Sequence, residues 1–188
     1  ITLDVNLSGE LSYSVSYKGN QVINTSPLGF EFRGEPAMRS GFALQNAQEA
    51  VLQRDSWEPV VKNKHARIDM QWNEVHFNLI EKEGEKRRMD IFFRAYNDGV
   101  AFRYRLYGSK TIGDRSVSRE LTGFSVPSHS QAWVAEYEPP YTSSQESEFN
   151  KRSITGLTAQ TVAGLPLLVE VDKQNYLAIT EANIDNYP

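Results

Sequence analysis

The stretch Met89-Asp-Ile-Phe-Phe-Arg-Ala-Tyr-Asn-Asp-Gly-Val-Ala-Phe-Arg-Tyr-Arg-Leu-Tyr107 holds two runs of β-prone residues around Asn97-Asp98-Gly99. After the break, Val100, Phe102, Tyr104 and Leu106 alternate with Ala101, Arg103 and Arg105. A period of two places the first set on one face of a strand and the second set on the other. Asp98-Gly99 between two such runs predicts a hairpin closed by a type I′ turn. Either Phe92 or Phe93, with Phe102 and Tyr104, is expected in the core.

The same pattern recurs in both directions. Leu11, Tyr13, Val15 and Tyr17 alternate with Ser12, Ser14 and Ser16, and Lys18-Gly19-Asn20 supplies residues able to turn the chain back. Val75, Phe77 and Leu79 mark another strand, and the polar run Glu81 to Arg88, with Gly84 inside it, marks a turn. Near the end, Gly164 to Thr180 reads as two apolar strands around Asp172 to Asn175. Only Phe42 to Arg54 has the composition of a short helix; it lacks a convincing N-cap, and an irregular loop is the alternative. Many short strands, polar turns and almost no helix predict an all-β fold, a large antiparallel β-sandwich formed by residues 1–188 as a single domain.

Composition narrows the function classes. The chain has 188 residues, 39% of them hydrophobic, and a net charge of -4. That is enough to bury a core, and the balance carries no signature of nucleic-acid binding. No apolar run reaches the roughly 18 residues of a membrane span. Cysteine is absent, so there is no disulfide and no thiolate chemistry. No signal peptide is legible, and Ile1 is not a natural start.

Chemistry-bearing residues are sparse. His65, His76 and His129 are scattered, without partners at metal-ligand spacing. His76 alternates with Val75 and Phe77 and is expected on a solvent-facing side. Lys86-Arg87-Arg88, beside Glu81, Glu83 and Glu85, reads as a solvated turn. Trp57, Trp72 and Trp133 suit either sheet packing or stacking on sugars. Tyr137 to Asn150 is a long polar loop with two prolines, of the kind that carries contacts at a domain edge. The residues alone describe a β-sandwich with no self-sufficient active site.

Three stretches carry a resemblance: Leu11 to Phe32 (Tyr-Lys-Gly, then Ser-Pro-Leu-Gly), Phe92 to Leu106, and Leu177 to Pro188. They resemble the N-terminal domain of glycoside hydrolase family 97, bacterial α-glucosidases and α-galactosidases of the Bacteroides starch-utilisation type. The resemblance implies a galactose-mutarotase-like super-sandwich preceding a (β/α)8 catalytic barrel and a small C-terminal β domain. It places the general acid and its partner carboxylate in the barrel, so no catalytic residue is assigned to this chain. It implies an oligosaccharide substrate, the protein's own barrel as a partner, and a periplasmic location. In this family a glutamate of the Thr-Glu-Ala stretch reaches the barrel's active site and helps bind a calcium ion, and Glu181 matches that position. Leu177, Ile179 and Glu181 would share one face if the strand continues that far. Calcium takes about six to eight oxygen ligands, so one glutamate would be completed elsewhere. Two other readings are a carbohydrate-binding module using Tyr13, Tyr17, Trp57 or Trp133, and an aldose epimerase. The second needs a histidine–glutamate acid–base pair that no motif here supplies.

Overall fold

The structure, a computed structural model, describes residues 2–108, 116–138 and 146–182. It is 57% strand, and the described residues contain no α-helix, only a single 3₁₀ turn at Ile154–Gly156. Every pairing with a described register is antiparallel. The expected all-β antiparallel sandwich is therefore what the chain forms. No helix among the described residues is long and apolar enough to cross a membrane. The chain divides into two compact units, Ile1–Gly19 with Thr25–Gly123, and Asn20–Asn24 with Phe124–Pro188.

The first unit holds three sheets. One has the order β1-β2-β3, with β1 (Thr2–Asn6), β2 (Ser12–Tyr17) and β3 (Asn20–Pro27), whose opening residues count with the second unit. A second joins β4 (Phe30–Phe32), β5 (Glu35–Met38) and β11 (Val117–Glu120) in the order β11-β4-β5. The largest joins β6 (Phe42–Ala47), β7 (Val51–Trp57), β8 (Ile68–Glu81), β9 (Arg88–Ala95) and β10 (Val100–Leu106) in the order β10-β9-β8-β6, with β7 also on β8.

Register builds the core of this unit. Phe93 lies opposite Val75 and Phe102, Ile91 opposite Phe77 and Tyr104, and Met89 opposite Leu79 and Leu106. These are the residues that the alternation places on one face, and Phe93 is 0% exposed. Tyr13 of β2 covers them, its ring 5.2 Å from Phe102 and 6.5 Å from Phe93. Phe30 of β4 meets Tyr104 edge-on at 4.7 Å. Such tilted aromatic pairs add to the area they bury. The Tyr13 hydroxyl donates to the Gly123 carbonyl at 2.9 Å, so the buried phenol is satisfied.

Three local readings are corrected. Phe42 to Arg54 is not a helix but parts of β6 and β7, which pair with successive halves of the 14-residue β8. Within that stretch only Phe42 is buried, so there is no apolar helical stripe to bury, and the backbone groups find partners in the ladder. The hairpin between β9 and β10 forms, but not through a type I′ turn at Asp98-Gly99. Ala95 pairs with Val100, and the Tyr96 N–H donates to the Gly99 carbonyl at 2.8 Å, which leaves Asn97-Asp98 at the tip. Neither Asp98 nor Gly99 has positive φ. Lys18 (φ 49°) and Gly19 (φ 82°) do, as a primed turn between β2 and β3 requires. Third, the Lys86-Arg87-Arg88 turn is not fully solvated. Arg87 is 9% exposed. It donates to both Glu81 oxygens (2.5 and 2.7 Å), to Glu35 at 3.3 Å and to the Pro36 carbonyl at 2.8 Å.

The second unit has one sheet, β13-β12-β15-β16, with β14 also on β12. Its strands are β12 (Gln131–Tyr137), β13 (Phe149–Ser153), β14 (Val162–Ala163), β15 (Leu167–Glu170) and β16 (Tyr176–Ile179). Ala132, Val134 and Val169 form its fully buried face. The expected turn at Asp172 to Asn175 is present. Asp172 accepts from the Gln174 N–H at 2.8 Å, the Asn175 N–H at 3.0 Å and the Asn175 side chain at 2.7 Å. These bonds, the Asn175 side chain foremost, hold its carboxyl below the ordinary range.

Candidate functional site

Glu181 stands at the end of a well-anchored strand. Within β16, Leu177 lies opposite the buried Val169, and Ile179 lies opposite Leu167. Tyr176 and Ala178 point the other way and are exposed. The ladder stops at Ile179, two residues short of Glu181, so Glu181 does not extend the inward apolar face. It is exposed beyond that face. Asn183, Asp185 and Asn186 lie outside the described residues, as do residues 139–145; of the expected Tyr137 to Asn150 loop, Tyr137 ends β12 and Phe149 and Asn150 open β13.

Glu181 by itself offers a cation a single exposed carboxylate. Among the described residues no group of three or more His, Asp or Glu side chains is arranged to hold a metal ion. Glu181 fits as one hard-oxygen donor of a set and cannot be the whole set.

The histidines remain apart, but His76 acquires a partner that its strand neighbours do not announce. Its side chain is 18% exposed rather than solvent-facing, and its ring stacks on Phe92 at 4.0 Å. His76 Nε2 lies 3.2 Å from Asp90 Oδ2. Asp90, 2% exposed, also accepts from the Tyr107 hydroxyl at 2.5 Å and from Asn78 Nδ2 at 2.8 Å. Burial pushes the Asp90 carboxyl up, but the bonds from Tyr107, Asn78 and His76 outweigh it and hold it below the ordinary range. All of this follows from the β8–β9 register, which sets Asn78 against Asp90 and His76 against Phe92. A carboxylate committed to three donors inside a sheet is a structural group, and this histidine–aspartate pair is not the exposed acid–base pair an epimerase needs.

The aromatic candidates separate by burial. Tyr13 is in the core and is unavailable to a ligand. Trp72 is buried too, under the Arg94 guanidinium at 4.7 Å, and its indole N–H donates to Glu74 at 3.2 Å. Tyr17 is half-buried, with Lys18 Nζ 5.1 Å from its ring. Trp57 is 48% exposed at the end of β7. Trp133 is half-buried on β12, with Lys151 Nζ 4.8 Å from its ring and Tyr176 6.3 Å away. Tyr176 is a further exposed aromatic on this sheet. Its signal was the alternation of β16, which sends it outward as Leu177 goes in.

Comparison with known proteins gives a consistent answer. Residues 1–188 match the family described as Glycosyl-hydrolase 97 N-terminal. A retaining alpha-galactosidase of Bacteroides thetaiotaomicron is 23% identical over 98% of this chain and 27% of its own length. A probable retaining alpha-galactosidase of Streptomyces bingchenggensis is 32% identical over 69% of this chain and 19% of its own length. The chain thus spans about a quarter or less of the curated relatives it matches. Among solved structures, a beta-arabinopyranosidase superposes with a TM-score of 0.81 at 20% identity, covering 97% of this chain and 30% of that one. A family 97 enzyme of Pseudoalteromonas sp. strain K8, solved with panose, superposes with a TM-score of 0.72 at 22% identity, covering 89% and 25%. Both likenesses concern the fold. The match along all 188 residues shows that this chain belongs to the N-terminal domain family of glycoside hydrolase 97.

Proposed function

We propose that this chain is the N-terminal domain of an exo-acting, calcium-dependent α-glycosidase. In this reading it packs on a (β/α)8 barrel that carries the chemistry, and it supplies Glu181 as a calcium ligand. The observation that carries the proposal is family membership along the whole chain, together with two curated relatives that are both named as retaining alpha-galactosidases. Those relatives favour α-galactosides over α-glucosides as the substrate class. A periplasmic location accompanies the proposal.

Retention requires two carboxyl groups about 5–5.5 Å apart, one protonating the leaving oxygen and one attacking the sugar. In the proposal both belong to the barrel. This chain's own part is positional. The Asp172 turn and the β15–β16 ladder fix the strand from which Glu181 projects, and the exposed carboxylate offers charge and two oxygens. Calcium, when bound, would polarise or orient a substrate oxygen.

The test is hydrolysis of nitrophenyl α-galactoside and α-glucoside by the full-length protein and by residues 1–188 alone. The full-length protein is expected to turn over the galactoside with retention, and the isolated chain to turn over neither. Turnover by the isolated chain, after contaminating glycosidases are removed, would overturn the division of labour.

A further inference from the structure

We infer that the outer face of the β13-β12-β15-β16 sheet is a carbohydrate-binding platform that takes the pyranose rings of an α-linked oligosaccharide. The identity of the sugar rests on the glycosidase reading; the platform rests on the face itself. A sheet with one face in a core ordinarily turns polar side chains to water on the other. This one does not. With Ala132, Val134 and Val169 pointing inward, register places Trp133 beside Lys151 and Leu168, Phe149 beside Ala135, and Tyr176 beside Glu170. Phe149 is 58% exposed and Tyr176 57%. The Trp133 and Tyr176 rings are 6.3 Å apart and inclined at 35°, an open pair.

A charged pair sits among the rings. Lys151 Nζ is 2.6 Å from Glu170 Oε2 and 4.8 Å from the Trp133 ring. A pyranose presents an apolar C–H face and a rim of hydroxyls that both donate and accept. Rings meet the first, and an ammonium–carboxylate pair meets the second. The same pair argues against a protein occupant, because lysine and glutamate are depleted from protein–protein interface cores. Lys151 partly covers Trp133, but an exposed ion pair of this kind is weakly held and gives way to a ligand.

The experiment is affinity electrophoresis of the full-length protein through gels containing soluble galactomannan, with amylopectin as a second polymer. The wild-type protein should be retarded. Tyr176→Ala should raise the apparent dissociation constant about 3- to 10-fold, the worth of one stacked ring. Tyr176→Phe, which keeps the ring, should stay within about twofold of wild type. Lys151→Met, which should fold normally because Lys151 is exposed, should also weaken binding. Unchanged retardation in Tyr176→Ala and Lys151→Met would overturn the platform. A change of oligomeric state, or protease cleavage within the protein, that replaces the loss of retardation would also overturn it, because the face would then be covered by protein. Hydrolysis of nitrophenyl α-galactoside without any retardation would sink the platform and leave the glycosidase reading standing. Retardation without hydrolysis would do the reverse.

Discussion

Replacing Arg87 by methionine tests whether the tight turn between β8 and β9 is held by a buried charge or merely solvated. The Arg87 side chain is 7% exposed, and its partners Glu81 and Glu35 are 13% and 18% exposed. Its guanidinium also lies 5.6 Å from the Phe32 ring. Methionine keeps much of the aliphatic volume but removes every donor. The Glu81 carboxylate then loses the guanidinium that it faces, and the Pro36 carbonyl loses its donor. Breaking a buried pair from one side costs about 3–5 kcal/mol, because the remaining charge stays desolvated. For a chain of this size that corresponds to a fall in Tm of roughly 6–20 °C. Urea denaturation at pH 7, read by near-ultraviolet circular dichroism of the aromatic core, measures the loss. Glu81→Leu combined with Arg87→Met should recover part of it, since an apolar replacement of an ion pair is often neutral, while the contacts to Glu35 and the Pro36 carbonyl stay lost. A loss under about 1 kcal/mol for Arg87→Met, the range of an exposed pair, would refute the reasoning.

Three further outcomes follow from the same structure. Phe93→Ala should cost about 3–5 kcal/mol in the same denaturation assay, because a fully buried ring opposite Val75 and Phe102 leaves a cavity. Gly29→Ala should destabilise by about 1–3 kcal/mol from its φ of 133° alone, with more from a Cβ driven against the Met38 carbonyl oxygen. A thermal melt equal to wild type would contradict this. Because the Asp90 carboxyl is held below the ordinary range, its contribution is complete above about pH 4 and is lost as pH falls through its folded value. Asp90→Asn should therefore flatten the acid limb of a stability–pH profile, and an unchanged slope between pH 5 and 2 would count against the Tyr107–Asn78–His76 cradle.

What was legible in the sequence was local. Alternation over Leu11 to Tyr17 and over Val100 to Leu106 gave the strands, and the break between them gave the hairpins. Both depend on neighbours a few residues apart. The misreadings each needed a distant partner. Phe42 to Arg54 is strand because β8 is long enough to pair with two successive strands. Arg87 is buried because Glu35, 52 residues earlier, comes back to meet it. His76 lies on the face opposite Val75 and Phe77, as its alternation says, but register sets it on Phe92 and beside Asp90 and leaves it only 18% exposed. Ser-Pro-Leu-Gly, quoted for its resemblance, also has a physical reason, since Gly29 runs against the β5 backbone where no side chain fits. The role of Glu181 was never in the local pattern. A strand-end glutamate is ordinary, and only the family match singles it out.

Calcium titration of the full-length enzyme, wild type against Glu181→Gln, with hydrolysis of nitrophenyl α-galactoside as readout, tests the central proposal most directly. Glutamine keeps one carbonyl oxygen but loses the charge and the bidentate option. Folding should be unaffected, because Glu181 is exposed beyond the end of β16. The account predicts a strong fall in activity at low calcium, partial recovery at high calcium, and a half-saturating calcium concentration raised at least about tenfold, the equivalent of 1.4 kcal/mol. Identical calcium dependence and identical rates for the two proteins would contradict it.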